Sequence, residues 1–323
     1  MAGRPLPGEF ELIHRYFAPL AAGFPGALGL EDDAATYQPP AGHELVLTAD
    51  ALVEGRHYLA ADPADRVARK MLRVNLSDLA AKGAKAIGYL MTIALGPDID
   101  ETWIAKFVEG LAADQKEFGI ALMGGDTVAT PGPTTLSVTA LGIVPQGKAV
   151  RRAGAQVGDK LFVSGTIGDG ALGLKVLRGA LFDLDPAQRG MLADCYHLPR
   201  PRMKLGAALL GHAHAAMDIS DGLAADAGHI AEASRCGIVI HADRVPLSAA
   251  AQEALARDLE LLPEILTGGD DYELLFTAAE LQPAWSTAAP VTEIGEIVAG
   301  EGVRVLDRDG NEIALTSRGF QHF

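Results

Sequence analysis

Aspartates stand where apolar segments of this chain end or turn: Asp32 and Asp33 in GLEDDAA, Asp50 in LTAD, Asp78 in NLSDLAAKGA, Asp126 in MGGDT, and Asp218 and Asp221 in MDISDGL. Ligands of α/β folds collect at strand ends, and Mg²⁺ prefers hard carboxylate oxygens while keeping bound water or substrate phosphates. Together such acids could hold several Mg²⁺ ions around a triphosphate. Each alone also has an ordinary role, because an Asp after an apolar run serves as a helix N-cap or turn residue. Asp78 fits that role poorly, since it sits inside a helical pattern beside Asn75 and Ser77, where Asp is a weak helix former. Asp218 and Asp221 lie three residues apart across a strand-to-helix turn that also carries Ser220, and two carboxylates there repel unless a cation separates them.

Two glycine motifs compete for attention and lack the mechanics of their types. Residues 142–148 match GxxxxGK, but Ala149 lacks the hydroxyl that would meet Mg²⁺, and Pro145 with the following VRRAG does not open a helix. Residues 168–173 match GxGxxG after a strand at 160–164; a dinucleotide fold would then need a second strand ending on an acid, and residues 181–186 are too polar for one. A tight turn that lets a helix pack closely on a strand explains those glycines as well. His212 and His214 form an H-x-H pair at a helix end whose members do not share a face, so they read as solvated. Cys195 and Cys236 stand far apart without metal-ligand spacing and read as plain thiols.

The elements that must position the acids follow from the apolar pattern. A length of 323 residues allows two domains, and 49% hydrophobic with 21% charged residues is a globular balance. In the first half, strands at 45–50, 87–95, 120–123 and 135–144 alternate with helices at 64–82 and 101–118, which suits an α+β domain. Residues 145–160, rich in glycine and basic groups, suit a connection between domains. Beyond it come strands at 160–164, 215–219, 237–241 and 272–277 and helices at 170–178, 202–210, 222–235 and 248–257, with strands at 291–298 and 303–306 closing the chain as a hairpin near the Asp309-Gly310 turn. The expected domains are 1–148, an α+β domain, and 149–323, an α/β domain.

A net charge of −15 argues against binding nucleic acid through its phosphates. No run approaches the ~18 apolar residues of a membrane helix, and the N-terminal MAGRPLPGEFELIHRYF lacks the basic start and apolar run of a leader, so the expectation is a cytoplasmic protein without a membrane partner.

In their order along nearly the whole chain, GEFELI (8–13), DDAA (32–35), LVEGRHY (52–58), NLSDLAAKGA (75–84), GGDT (124–127), SGTIGDGALGL (164–174), PRPRMKLG (199–206), MDISDGLAAD (217–226), GGDDYELLFT (268–277) and GFQHF (319–323) resemble the thiamine-monophosphate kinase family, which belongs with the aminoimidazole ribonucleotide synthetase-like, PurM-like enzymes. The resemblance implies a two-domain PurM-like fold and in-line transfer of the ATP γ-phosphoryl group to thiamine monophosphate. It implies Mg²⁺ at Asp33, Thr48, Asp50, Asp78, Asp126, Asp218 and Asp221; ATP at Gly125, Asp126, Arg151 and Ser220; and substrate at His57, Asp270 and Phe320. Asp270 stands where the family usually has Glu, which shortens that contact by one methylene.

Sister synthetases on the same scaffold, and a catalytically silent nucleotide-binding regulator, are the alternatives. A reactive cysteine near the N-terminus or at the C-terminus would point to two of the sisters, and this chain's cysteines lie at 195 and 236. No residue is arranged as an activated nucleophile beside a base. The resemblance further implies a homodimer joined through the first half, with each active site bordered by both subunits. The apolar strands 87–95 and 135–144, including Ile93 and Val138, are the segments expected to need covering.

Overall fold

The computed structural model describes residues 4–315 and Gly319. The chain divides into two compact units, one of Met1–Leu79 with Lys85–Gly147 and one of Ala80–Ala84 with Lys148–Phe323.

In the first unit α1 (Glu9–Leu12), a π-helical turn at Ile13–Phe17, α2 (Ala18–Ala21) and a 3₁₀ segment (Pro25–Leu30) lead into β1 (His43–Val53). Then follow α3 (Ala64–Ala81), β2 (Lys85–Leu95), α4 (Glu101–Phe118), β3 (Ala121–Ala129) and β4 (Thr135–Pro145). The sheet runs β1-β4-β2-β3, with β2 and β3 parallel and the other neighbours antiparallel. Strand alternation puts Leu136, Val138 and Ala140 of β4 and Tyr89, Met91 and Ile93 of β2 in the buried core. Gln115 of α4 donates to the Tyr89 hydroxyl on that side at 3.0 Å. Asp100 caps α4 by accepting the Trp103 N–H, and Gly119 ends it at φ 67°.

The opposite face of this sheet is open. Leu45 and Leu47 of β1, Leu90 of β2 and Val128 of β3 are 41%, 60%, 40% and 46% exposed. Ile93 and Val138, expected from sequence to be the apolar positions in need of a cover, are instead wholly buried, because β2 and β4 are the central strands and these residues lie on the packed face.

The second unit contains β5 (Lys160–Ser164), α5 (Asp169–Leu177), α6 (Pro186–His197), α7 (Met203–Leu209), β6 (Ala215–Asp218), α8 (Leu223–Ser234) and β7 (Gly237–His241). It continues with a 3₁₀ turn at Ala242–Arg244, α9 (Ala249–Arg257), α10 (Leu261–Thr267), β8 (Leu274–Ala278), α11 (Pro283–Ala288), β9 (Val291–Val298) and β10 (Gly302–Leu306). Its sheet runs β10-β7-β9-β5-β8-β6. Leu161, Val163, Ala215, Met217 and Leu275 pack with Leu223, Ala227 and Ile230 of α8. The alternate residues Phe162, Ala216, Leu274 and Phe276 pack with Leu205 and Leu209 of α7 and Trp285 of α11. Burial on both faces is why β5, β6 and β8 read as unbroken apolar runs.

The terminal strands do not form the expected hairpin. β7 lies between β9 and β10, antiparallel to the first and parallel to the second, because a strand buried along almost its whole length needs a partner on each edge. The Asp309-Gly310 turn does form, between β10 and Glu312, with Asp307 accepting the Asn311 N–H. Among the described residues no helix is long and apolar enough to cross a membrane.

α3 and α4 are joined by a buried charge cluster. Asp114, wholly buried, accepts from Arg69 Nε at 2.8 Å and Arg73 Nε at 2.7 Å, and Arg73 also reaches Glu117 at 2.7 Å. Removing the central charge strands a nearly buried guanidinium, so Asp114→Asn should destabilise the protein by about 3 kcal/mol. Urea unfolding followed by circular dichroism checks this; a midpoint moved no further than that of Glu117→Gln would refute it.

Candidate active site

In the first unit the acids distribute over three places. Thr48 and Asp50 turn toward α3: Thr48 Oγ1 donates to Asp78 Oδ2 at 2.5 Å, and the Asp50 N–H donates to Asn75 Oδ1 at 3.1 Å. Asn75 is held in turn by its bond to the Met71 carbonyl at 2.9 Å. This explains an Asn and an Asp three apart within a helix, since both are aimed at a strand rather than at solvent. Asp126 lies in register with Thr92 on the open face of the sheet, and it is exposed. Before it, Gly125 runs so close to β2 that a Cβ would stand 1.8 Å from the Met91 carbonyl oxygen, so only glycine fits. Asp33 lies in an exposed segment between the 3₁₀ turn and β1, its N–H donating to Asp32 Oδ1. No three of this unit's described acids or histidines bring ligand atoms within 4.8 Å of one another. His57 Nδ1 accepts the Val53 N–H at 3.0 Å, which puts the ring proton on Nε2.

In the second unit β6 ends at the buried Asp218, and the turn to α8 carries Ser220 and Asp221. The loop before β8 is laced to that turn: the Asp270 N–H donates to the Ser220 carbonyl, the Tyr272 N–H to the Ile219 carbonyl and the Ile219 N–H to the Glu273 carbonyl. Asp270 and Tyr272 adopt φ of 70° and 52°, a left-handed backbone that costs energy in both and is held by these bonds. Asp270 is thereby placed beside Ser220, two candidate residues that lie 50 positions apart. Arg151 is exposed, and its carbonyl accepts the Ala216 N–H. Phe320 lies outside the described residues.

The structure also shows what the decoy motifs do. Residues 142–148 finish β4 and a turn in which the Gly147 N–H donates to Glu44 Oε1, and no helix follows. At GxGxxG the N–H groups of Gly168 and Gly170 donate to the carboxylate of the buried Asp271 at 2.8 and 3.0 Å. An internal carboxyl group therefore occupies the helix N-terminus that a phosphate would need. Gly170 runs against the Asp270 carbonyl, where a Cβ would come within 2.3 Å. Glu273 is met by the Arg202 guanidinium and Ser164, and Asp169 by Thr166 and Ser248. Burial is the first cause that raises the carboxyls of Asp271, Asp169 and Glu273 above their ordinary range. His214, expected to be solvated, is half-buried and pairs with Asp159 at 2.8 Å.

Two residues escaped the sequence reading. Asp226 and His229, three apart on α8, join Asp221 in a group whose ligand atoms all lie within 4.8 Å of one another. The carboxyl of Asp226 is raised well above the ordinary range, first by burial and then by the charges of Asp218 and Asp221. The D-x-x-H spacing was the available signal.

Comparison with known proteins places the chain in a family. Residues 31–144 match the family model "AIR synthase related protein, N-terminal domain" and residues 156–308 the corresponding C-terminal domain. Thiamine-monophosphate kinase of Caulobacter vibrioides is 44% identical over 326 residues, covering 98% of this chain and 91% of the relative. The crystal structure of thiamine-monophosphate kinase from Stenotrophomonas maltophilia K279a matches with a TM-score of 0.83 at 43% identity, over 95% of this chain and 98% of that one. The structure of AaThiL complexed with AMPPCP and TMP matches at 0.79 and 32% identity, over 98% and 97%. With near-complete coverage at this identity, and with both AIR synthase related domains present in order, the chain belongs to the thiamine-monophosphate kinase family.

Proposed function

We propose that the protein transfers the γ-phosphoryl group of ATP directly to thiamine monophosphate, giving ADP and thiamine diphosphate. The observation that carries this reading is the clustering of family-matching residues in each unit, with Thr48 and Asp50 of β1 meeting Asn75 and Asp78 of α3 in the first and Asp218, Ser220 and Asp221 at the β6–α8 turn in the second. The relative complexed with AMPPCP and TMP, an ATP analogue with a methylene bridge and the acceptor named in this proposal, supports the choice of substrates.

The donor set fits Mg²⁺: Thr48, Asp50, Asp78, Asp33 and Asp126 offer only hard oxygen atoms, as do Asp218 and Asp221. When bound there, Mg²⁺ supplies charge neutralisation for the phosphate oxygens. The side chains otherwise have positioning tasks. The Gly125-Asp126 backbone and Ser220 hold the nucleotide, the exposed Arg151 clamps its phosphates, and His57, Asp270 and Phe320 orient the acceptor. The His57 ring is held in place by the Val53 N–H at its Nδ1. In-line transfer needs positioning and charge stabilisation rather than a nucleophilic side chain.

A homodimer joined through the first unit completes the proposal. The open sheet face carries Leu45, Leu47, Leu90 and Val128 together with Asp126, so a second copy laid on it would bury apolar area and border a proposed nucleotide residue.

Mg-ATP with thiamine monophosphate should yield thiamine diphosphate with sequential kinetics, and free thiamine should be a poor acceptor. Coupled ADP-release assays test this, and equal rates with thiamine, or a labelled phosphoenzyme formed from ATP alone, would refute it. Asp78→Asn, Asp126→Asn and Asp221→Asn should each lower kcat/KM by roughly 100-fold or more; near-normal activity in all three would defeat the site assignment. Leu47→Asp should weaken the dimer, read by sedimentation velocity as a mass that falls with dilution. A wild-type protein that sediments as a fully active monomer at micromolar concentration would rule the dimer out.

A further inference from the structure

We infer that Asp221, Asp226 and His229 form a divalent-cation site with one nitrogen donor, distinct in ligand chemistry from the all-oxygen positions proposed for Mg²⁺. Their ligand atoms lie within 4.8 Å of one another. An ion bound at about 2.1 Å to each donor spaces its ligands roughly 3–4 Å apart, so small side-chain rotations close the site. Asp226 and His229 project from the same face of α8, and Asp221 comes from the turn that precedes it.

An independent observation points to a ligand there. Asp226 is only 1% exposed, and its Oδ2 accepts the N–H groups of Asp221 and Gly222, each at 3.1 Å. Its Oδ1 is buried and has no hydrogen-bond partner among the described residues. A buried carboxylate oxygen left in that state is costly, and a cation shared with Asp221 removes both the unmet acceptor and the repulsion between the two acids.

The burial gradient gives the ion a way in. Asp226 is buried, Asp221 half-buried and His229 exposed, and the group opens onto a cavity of about 1170 Å³ whose walls include Gly228, Glu232 and Arg235. Three protein ligands leave coordination positions on that side for water or an oxygen of a bound molecule. An imidazole beside two carboxylates favours first-row transition dications such as Mn²⁺ or Co²⁺ over Mg²⁺, which is served best by oxygen alone.

Asp221 is shared with the proposed Mg²⁺ positions, so the test turns on His229. The full-length protein is stripped of metal, given excess Mg²⁺ to fill the oxygen-only positions, and titrated with Co²⁺ by visible absorption and calorimetry. One Co²⁺ should bind with a d–d band that shows nitrogen ligation. His229→Ala should weaken that binding by about tenfold or more while preserving the fold, since the ring is exposed. Asp226→Asn, checked for folding by circular dichroism, should weaken it further. No Co²⁺ binding under excess Mg²⁺, or a titration identical in wild type and His229→Ala, would overturn the site. The kinase reading would survive either result, because it is judged by product formation with Mg-ATP.

Discussion

A carboxylate withdrawn from water must be met by donors, and the second unit withdraws Asp159, Asp169, Asp218, Asp226, Asp271 and Glu273. Most of its local structure answers that demand. Gly168 and Gly170 present N–H groups to Asp271, Arg202 and Ser164 take Glu273, Thr166 and Ser248 take Asp169, and His214 takes Asp159. Asp226 is met on one oxygen only, at the turn where candidate ligands project toward solvent. The other acids whose donors are named here thus contrast with Asp226, one of whose oxygens has no partner among the described residues.

Hydrogen bonds also hold strained backbone near the candidate residues. The left-handed conformations of Asp270 and Tyr272 are secured by bonds to the β6–α8 turn, whose own position is set by β6 pairing with β8. A sheet packed on both faces is a stiff support, so the turn and loop can keep Ser220 beside Asp270 before any ligand arrives. In the first unit the support is different: one packed face carries Thr48 and Asp50 toward α3, while the open face carries Asp126 among exposed leucines and valine. There a single sheet presents chemistry on both sides, and which side a residue serves depends on strand parity.

Some of this was legible from residue order. Apolar periodicity located α3, α4 and most strands, because each buries a regular stripe. Apolar periodicity does not reveal α6, although Asp185, Pro186 and Gln188 spell an N-terminal capping box, because the segment that leads into it is polar. The short helices α10 and α11 carry too few turns for a period to show.

By itself the sequence determined the family, the alternation of elements and which acids are candidates, because these depend on residue identity and short-range spacing. Only the tertiary structure decided which acids meet. Thr48 and Asp78 are joined across 30 residues and Glu273 and Arg202 across 71, separations over which no local pattern reports contact. It also decided that β7 divides the terminal strands, that Ile93 and Val138 face inward, and that Asp226 and His229 complete a group with Asp221. Each of those outcomes is set by pairing register and packing between distant segments. That is a property of the folded sheet, which the order of residues along the chain does not display.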